Sequence, residues 1–245
     1  MKPYRWDILD FAAGYDVAAE HIHPYYTEIH KEILKLISFP RQQDFLVVDA
    51  GGGSGRFIER FLTRFTQARA IVFDQSEAFL NLAQQRLSPF EKRTNFFLAR
   101  LQEDWIGRLP EAPSAIVSMS AVHHLDFHEK PAFYQRCHDA LLQDGIFING
   151  DEIRAANDAD YLDQCKSWVA DMHNAMKSDS VPEVMHKALL QWESRNVHQF
   201  DKPRVSGDDC HETIEAQLGY LKNCGFSTVD CPWQKGMWAI FYAVK

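Results

Sequence analysis

The 245-residue sequence has no long apolar segment, since its longest hydrophobic stretches fall well short of the roughly 18 residues that a membrane-spanning helix requires. Its first ten residues carry charges where a secretory signal would need an apolar run. These absences disfavour membrane and secreted proteins. We therefore expect a cytoplasmic protein that has no membrane partner.

Closely spaced cysteines and basic clusters are also missing. The five cysteines include no C-x-x-C pair, so we expect reduced thiols that pack in the interior. Lys and Arg number 26 against 34 Asp and Glu, and the densest basic stretch is Lys92-Arg93. A chain of net charge −8 without a basic patch is repelled by phosphate backbones, so we expect no nucleic-acid partner.

The residues that are present predict an α/β fold. Hydrophobic residues make up 46% of the chain and charged residues 24%, as in ordinary globular proteins. Five short segments are apolar, several of them continuously, which is typical of strands covered on both faces. Helical-period segments separate them, which favours a doubly wound sheet. The predicted strands are 45–49, 70–74, 95–99, 114–120 and 145–149.

The two ends of the sequence complete this sheet. Helical spacing from Ile22 to Leu36 predicts a helix of about four or five turns before the first strand, within an N-terminal helical segment over 1–40. Near the other end, segments 227–231 and 237–244 predict an antiparallel pair, separated by a turn. We expect one domain whose seven-stranded, mostly parallel sheet ends in an antiparallel hairpin, with the hairpin turn over 232–236.

The alternation of strands and helices is interrupted after the fifth strand. Two amphipathic patterns follow each other there, the second beginning near Pro182, and neither is followed at once by a strand. We interpret residues 154–205 as an inserted helical cap.

A glycine-rich loop is the most informative segment. Four glycines lie within positions 51–55, between the first predicted strand and a helix, where they let backbone N–H groups approach a ligand at the positive end of the helix dipole. A dinucleotide site requires G-x-G-x-x-G, but Arg56 occupies its third glycine position. The spacing that fits is G-x-G-x-G, preceded by Asp49, whose carboxylate suits a cationic amino group better than a pyrophosphate. The loop therefore favours a nucleoside that carries an amino acid.

Further motifs accompany the loop. The second predicted strand ends in Asp74-Gln75-Ser76, and Val122-His123-His124-Leu125 follows the fourth. Residues 141–146 precede the fifth strand, and Gly225-Phe226 precedes the C-terminal pair. Together with residues 49–55, these motifs resemble the class I S-adenosylmethionine-dependent methyltransferases that act on small molecules. The resemblance covers essentially the whole chain outside the predicted cap.

The resemblance implies a Rossmann-like methyltransferase fold and an enzyme that uses S-adenosyl-L-methionine to methylate an O, N or C atom of a small metabolite. It also implies that the acidic residue after the second strand binds the ribose hydroxyls. The carboxylate that the family often places after its third strand is missing here, so Leu101 and Gln102 are expected to contact adenine through their backbone. The implied cofactor contacts are Tyr26, Asp49, Gly51, Gly53, Gly55, Asp74, Gln75, Leu101, Gln102, Ser118, Met119 and His123.

The sequence specifies the catalytic residues less closely than the cofactor contacts. Methyl transfer needs a site that excludes water and aligns the acceptor atom with the methyl carbon, and it needs a base only when the acceptor must lose a proton early. His124 is the candidate base, and either Asp151 or Glu152, just past the fifth predicted strand, is a candidate substrate contact. A structural histidine and a solvated loop carboxylate are the alternatives. With Asp126 and His128, the adjacent histidines also resemble a metal site, but such groupings are common on exposed loops, so no metal is expected.

The acceptor can be described only by its charge. Residues 151–230 contain 15 acidic and 8 basic side chains, and the cap adds Tyr161, Trp168 and Trp192. Acidic and aromatic walls both favour cations, so we hypothesise a neutral or cationic small substrate. The alternatives are a solvated acidic surface and aromatic residues that pack in the core.

Two other functions stay open at this point. One is a nicotinamide-dependent oxidoreductase, which Arg56 in the third glycine position and the C-terminal strand disfavour. The other is a non-catalytic subunit or sensor that binds S-adenosylmethionine, which would carry the same loop. No feature of the sequence specifies the oligomeric state.

Overall fold

The predicted strands form one seven-stranded sheet. In the computed structural model, which describes the backbone of residues 5–245 and the side chains from residue 6 onward, β1 to β5 are parallel and β7 runs antiparallel between β5 and β6. The first four residues of the predicted N-terminal helical segment lie outside the described residues. The strands, in the spatial order β3-β2-β1-β4-β5-β7-β6, are Leu46–Ala50 (β1), Arg69–Asp74 (β2), Thr94–Leu98 (β3), Ala115–Met119 (β4), Ile146–Glu152 (β5), Thr228–Lys235 (β6) and Trp238–Val244 (β7).

Helices lie on both sides of the sheet. A 3-10 turn over Val122–His124 follows β4, and a π-helical turn over Ser194–His198 follows the second cap helix. The α-helices are Leu9–Ile22 (α1), Tyr26–Leu36 (α2), Arg56–Arg64 (α3), Glu77–Arg86 (α4), Glu129–Ala140 (α5), Asp158–Ala175 (α6), Glu183–Glu193 (α7) and Ile214–Asn223 (α8).

The continuous apolar character of the strands follows from burial on both faces. Successive side chains of a strand point to opposite faces, so Val47 enters one apolar cluster and Val48 the other. Val72 and Phe73 of β2 divide in the same way, and all four side chains are fully buried. The parallel strands therefore end at one common edge, which brings Ala50, Asp74, Met119 and Glu152 to the same side of the molecule.

The N-terminal helix prediction is wrong in its bounds. Ile22 ends α1, and α2 begins only at Tyr26. Pro24 disfavours a helical conformation at the residue before it, and His23 is extended with ψ of 114°. Tyr25 then adopts a left-handed conformation with φ of 65°. The apolar spacing crosses this break because both helices bury their stripes in the same cluster.

Two predictions at the C-terminal side of the sheet are also corrected. The segment 232–236 is not the turn: β6 continues to Lys235 after an irregularity between Asp230 and Trp233, and the chain reverses at Gly236, with φ of 53°. An edge strand tolerates Pro232 because its missing N–H need not face a neighbour. The strand β5 runs three residues past its predicted end, since β7 pairs along it as far as Glu152.

The predicted cap region contains two helices as expected, and they pack beside α1. The indole N–H of Trp168 in α6 donates a 2.7 Å hydrogen bond to the carbonyl of Ile22, at the end of α1. A Cβ on Gly14 of α1 would lie 2.6 Å from Val184 of α7, so the two helices are in close contact. Cap and N-terminal helices therefore form one layer. Among the described residues, no helix is long and apolar enough to cross a membrane.

Gly55 links the glycine loop to the packing of α3 against α4. Its φ is 75°, and a Cβ there would lie 2.9 Å from Leu87 and 3.2 Å from Ala83. We expect Gly55→Ala to lower the free energy of unfolding by about 1–3 kcal/mol, measured by urea denaturation. Gly107→Ala is the matched control, because a Cβ at Gly107 meets nothing within 4 Å. Equal stability of the two variants would contradict this account.

Candidate functional site

The glycine loop forms the floor of a cavity of about 550 Å³ at the carboxyl edge of the sheet. Gly51 and Gly53 have φ values of 72° and 52°, which residues with a side chain rarely adopt. A Cβ on Gly51 would lie 2.7 Å from the Ala121 side chain, whereas a Cβ on Gly53 would meet nothing within 4 Å. Gly51 therefore allows two loops to approach each other, and Gly53 leaves open space on the side of the cavity.

Asp74, at the end of β2, fixes the position of this loop. Its carboxylate accepts hydrogen bonds from the backbone N–H of Gly53 at 3.0 Å and of Ser76 at 2.8 Å. Burial raises the pKa of Asp74 to about 6, although these backbone hydrogen bonds oppose the rise. Asp74 lines the cavity, so its acceptor oxygens are available to hydroxyl donors of a ligand.

Asp49 is an incompletely satisfied carboxyl group in the same cavity. It is 2% exposed, and its Oδ2 is buried without a hydrogen-bond partner. Burial, together with the nearby charge of Asp74, raises the pKa of Asp49 to about 8. A ligand ammonium group would supply the missing donor and would favour the ionised form. The residues present therefore fit a nucleoside that bears an amino acid, as S-adenosylmethionine does.

Most predicted cofactor contacts meet in this cavity, and three do not. Gly55 lies at the start of α3, and Ser118 donates a 2.7 Å hydrogen bond to the Ala50 carbonyl, which joins β4 to β1. His123 faces a different cavity. The predicted residues that line the first cavity are Tyr26, Asp49, Gly51, Gly53, Asp74, Gln75, Leu101, Gln102 and Met119.

The N-terminal helix contributes to the cavity in a way that sequence reasoning missed. Asp16 of α1 accepts hydrogen bonds from Arg56 at 2.9 Å, from Arg86 at 2.8 Å and from Ser54. Burial opposes ionisation of Asp16, but these hydrogen bonds lower its pKa to about 2. This network ties α1 to the glycine loop. It gives Arg56 a structural role next to the glycine loop, although no local sequence signal indicated its partner.

A second cavity of about 640 Å³ adjoins the first. One part of its lining is apolar and aromatic, with Trp168 and Met172 from α6 and Met185 and Trp192 from α7. The other part is polar. The residues that line both cavities are Trp6, Tyr15, Gln75, Ser120, His124 and Gly207.

His123 and Asp151 form a buried pair beside the second cavity. The backbone N–H of His123 donates to Asp151 at 2.9 Å, and its Nδ1 lies 2.7 Å from the same carboxylate. Burial alone would lower the pKa of His123, but the charges of Glu152 and Asp151 raise it to about 9. His123 is therefore an imidazolium near neutral pH. Asp151 is fully buried and lines neither cavity, and its hydrogen bonds hold His123 in orientation. Its contact with substrate stays a prediction.

Unlike the ring of His123, that of His124 is uncharged near neutral pH. Burial and the positive charge of His123 lower its pKa to about 4, so it is neutral near pH 7. Its Nδ1 lies 3.4 Å from both the Asp208 carbonyl and a carboxylate oxygen of Asp209. Because both neighbours are acceptors, Nδ1 carries the hydrogen and Nε2 is the basic nitrogen.

His123, His124 and Asp209 bring possible metal ligands within 4.8 Å of one another. The protonated His123 lies between Asp151 and Asp209, with Nε2 3.7 Å from the second carboxylate. It already supplies a positive charge to this cluster, so the absence of a metal stays our prediction.

Asp126 and His128, the other two residues of the metal-like grouping in the sequence, lie just before α5. There, Asp126 accepts hydrogen bonds from the N–H groups of His128 and Glu129.

Comparisons with known proteins agree with this arrangement. Residues 48–147 match the family described as a methyltransferase domain. A carboxy-S-adenosyl-L-methionine synthase from Nautilia profundicola is 21% identical over 253 aligned residues, covering 100% of this chain and 95% of that protein.

Solved structures share the fold at low identity. An O-methyltransferase described as putative, from Nostoc punctiforme, is 16% identical with a TM-score of 0.62, covering 97% of this chain and 60% of its own. An O-methyltransferase family 2 protein from Planctomyces limnophilus, in complex with apigenin, is 14% identical with a TM-score of 0.61, covering 98% of this chain and 62% of its own. The chain thus spans about three fifths of these two structures.

The role of Asp74 can be tested by calorimetry. We expect Asp74→Ala to weaken binding of S-adenosylhomocysteine by about 1–3 kcal/mol, because charged hydrogen bonds to the ribose are lost. Asp179→Ala, at an exposed loop position, is the control and should bind as the wild type does. Unchanged affinity of the Asp74 variant would overturn its assignment.

The protonated His123 predicts a dependence of stability on pH. Its pKa in the folded protein is raised from 6.5 to about 9, so its contribution is complete below pH 6.5 and is lost as pH rises through about 9. The free energy of unfolding should therefore fall by on the order of 1–3 kcal/mol across this window.

Urea denaturation at a series of pH values measures this fall. His123→Asn should flatten it, and His128→Asn, which alters an exposed ring, should preserve it. A His123 variant with the full wild-type slope would contradict the charge assignment.

Proposed function

We propose that this chain, whose residues 48–147 match a methyltransferase domain, is a class I S-adenosylmethionine-dependent methyltransferase that methylates a small molecule bound in the second cavity, with His124 as the group that receives the acceptor's proton. The observation that carries the proposal is the junction of the two cavities, where Ser120 and His124 line both. A donor in one cavity and an acceptor in the other meet at these side chains.

The first cavity would hold S-adenosylmethionine through three groups. Asp49 would bind the ammonium group, Asp74 the ribose hydroxyls, and the N–H groups of the glycine loop the amino-acid end. When bound, this cofactor supplies a methyl group whose bond to sulfur breaks as the bond to the acceptor forms, with the electron pair staying on sulfur.

His124 is suited to proton transfer by its position and its charge state. It is neutral near pH 7, because burial and the charge of His123 lower its pKa to about 4. Its Nδ1–H is oriented by the acceptors at Asp208 and Asp209, which leaves Nε2 to take a proton from an acceptor hydroxyl or amine. Asp151 is a positioning residue, because its carboxylate holds the ring of His123 in place.

The surrounding residues position and shield the acceptor. Trp168, Trp192, Met172 and Met185 supply apolar walls that exclude water from the reacting atoms. A cavity of about 640 Å³ accommodates a metabolite of moderate size. The apigenin held by the Planctomyces limnophilus structure supports a small organic acceptor as the class of substrate.

The alternatives fit the charges less well. A pyrophosphate would be repelled by Asp49 and Asp74, which disfavours a nicotinamide cofactor. A reaction that places a carboxylate at the junction, as the name of the Nautilia profundicola relative implies for that protein, would need a free cation. Of the described residues lining the second cavity, the only Lys or Arg is Arg195, which is paired with Asp208 at 2.7 Å.

Transfer of labelled methyl groups tests the proposal. The wild-type protein, supplied with methyl-labelled S-adenosylmethionine and a small-molecule cell extract, should label at least one metabolite. His124→Ala should lower the initial rate about 100-fold and leave affinity for S-adenosylhomocysteine unchanged, because only proton transfer is impaired.

The control for this assay is His128→Ala, since His128 is exposed and lines neither cavity. An unimpaired His124 variant would contradict the role of this residue. Failure of the wild-type protein to label any metabolite would favour a non-catalytic binding protein.

A further inference from the structure

The polar part of the second cavity contains two carboxylates, of which the proposed methyl transfer uses only Asp209, as a partner of His124, and leaves Glu152 without a role. Glu152 and Asp209 both line this cavity and are nearly buried, with side chains 3% and 11% exposed. Among the described residues, their ion-pair partners are all histidines, and neither carboxylate pairs with a Lys or Arg. Asp209 accepts a 2.8 Å hydrogen bond from the side-chain amide of Asn196, and Glu152 lies 2.8 Å from His211. Since no Lys or Arg in the described part of the chain neutralises either charge, this wall is suited to a cation.

Glu152 is held in a fixed orientation. Its Oε2 accepts a 2.8 Å hydrogen bond from Nε2 of His211, whose Nδ1 lies 2.6 Å from the Tyr161 hydroxyl. His211 and Tyr161 are buried, so this chain of contacts is shielded from water. The other oxygen, Oε1, has a weaker contact at 3.3 Å with Ser120, which also lines both cavities. One oxygen is therefore anchored, and the other remains available near the junction.

An unsatisfied nitrogen lies opposite that oxygen. His23 lines the second cavity, and its Nδ1 is buried without a hydrogen-bond partner, 4.0 Å from Oε1 of Glu152. The separation is too long for a direct hydrogen bond, and a group with several N–H donors could bridge the two atoms. A protonated amine has this donor set.

The charges around the site support the same ligand. Asp151 and Glu152 are buried carboxylates and Asp209 is a partly buried one, and the single positive charge of the His123 imidazolium does not balance all three. Arg195 is engaged by Asp208, so it does not neutralise the wall. The aromatic rings of Trp168 and Trp192, which line the second cavity, add a further attraction for cations.

We propose that the acceptor carries an amine on an apolar or aromatic body, and that its ammonium group binds between Glu152 and His23 in the polar part of the second cavity. An ammonium nitrogen has no lone pair, so this group anchors the substrate, and the methyl group is transferred to another nucleophilic atom of the same molecule. This inference rests on the proposed function, because it takes the second cavity as the acceptor site. It narrows the substrate class from small molecules to amines and makes Glu152 the residue that determines this specificity.

Three probes that share a phenethyl group test the charge preference: 2-phenylethylamine, 2-phenylethanol and 3-phenylpropionate. Binding is measured by ligand-observed NMR titration of the full chain saturated with S-adenosylhomocysteine. We expect the amine to bind about tenfold more tightly than the alcohol, and the carboxylate to bind most weakly.

Substitutions at Glu152 and Asp209 test whether these side chains cause the preference for the amine. Glu152→Gln removes the charge with little change of shape and should weaken the amine about tenfold while leaving the alcohol unchanged. Asp209→Asn should weaken the amine in the same direction and serves as a second test if the first variant folds poorly. Glu91→Gln, at an exposed position, is the matched control and should behave as the wild type does.

The outcomes separate this inference from the proposed function. Equal affinities of the three probes, no saturable amine binding up to about 10 mM, or an unchanged preference in both site variants would overturn the amine site. Failure of the wild-type protein to bind S-adenosylhomocysteine would instead contradict the proposed function.

Discussion

The repulsion between two buried carboxyl groups, Asp49 and Asp74, is the constraint on which this structure depends. Parallel pairing of β1 and β2 brings their carboxyl ends to one edge, and the glycine loop passes between them. Asp74 is stabilised by the N–H groups of Gly53 and Ser76, whereas Asp49 has a buried oxygen without a donor. The fold therefore buries an acidic group where water cannot solvate its charge, so Asp49 is mostly protonated near pH 7, and a cationic ligand would stabilise its ionised form.

The second cavity also lies beside buried carboxylates, but there a side chain of the protein supplies the positive charge. There, the imidazolium of His123 offsets part of the charge of Asp151, Glu152 and Asp209. Burial and this positive charge keep the adjacent His124 neutral, which leaves its Nε2 unprotonated. One adjacent pair of histidines thus provides a structural cation and a candidate base, because the first faces Asp151 and the second faces the junction of the cavities.

Much of the fold and half of the site follow from local sequence patterns. The seven strands and the placement of Asp49, Gly51, Gly53 and Asp74 around one cavity could be predicted because strand periodicity and loop spacing are local properties. The placement of Asp151 within β5 could not be predicted in this way, because β7 extends β5 through pairing between residues that are far apart in the sequence. The partners of Arg56 and Glu152 were likewise hidden: Asp16 lies 40 residues before Arg56, and His211 lies 59 residues after Glu152.

Proton linkage of cofactor binding tests the central claim most directly. Asp49 has its pKa raised to about 8, so it is mostly protonated at about pH 7, and pairing with the ligand ammonium should ionise it. Calorimetric titration with S-adenosylhomocysteine in buffers of different ionisation enthalpy should then report release of nearly one proton per ligand, and Asp49→Asn should abolish it. A binding enthalpy that does not vary with the buffer would contradict the claim that this buried carboxyl group receives the cofactor.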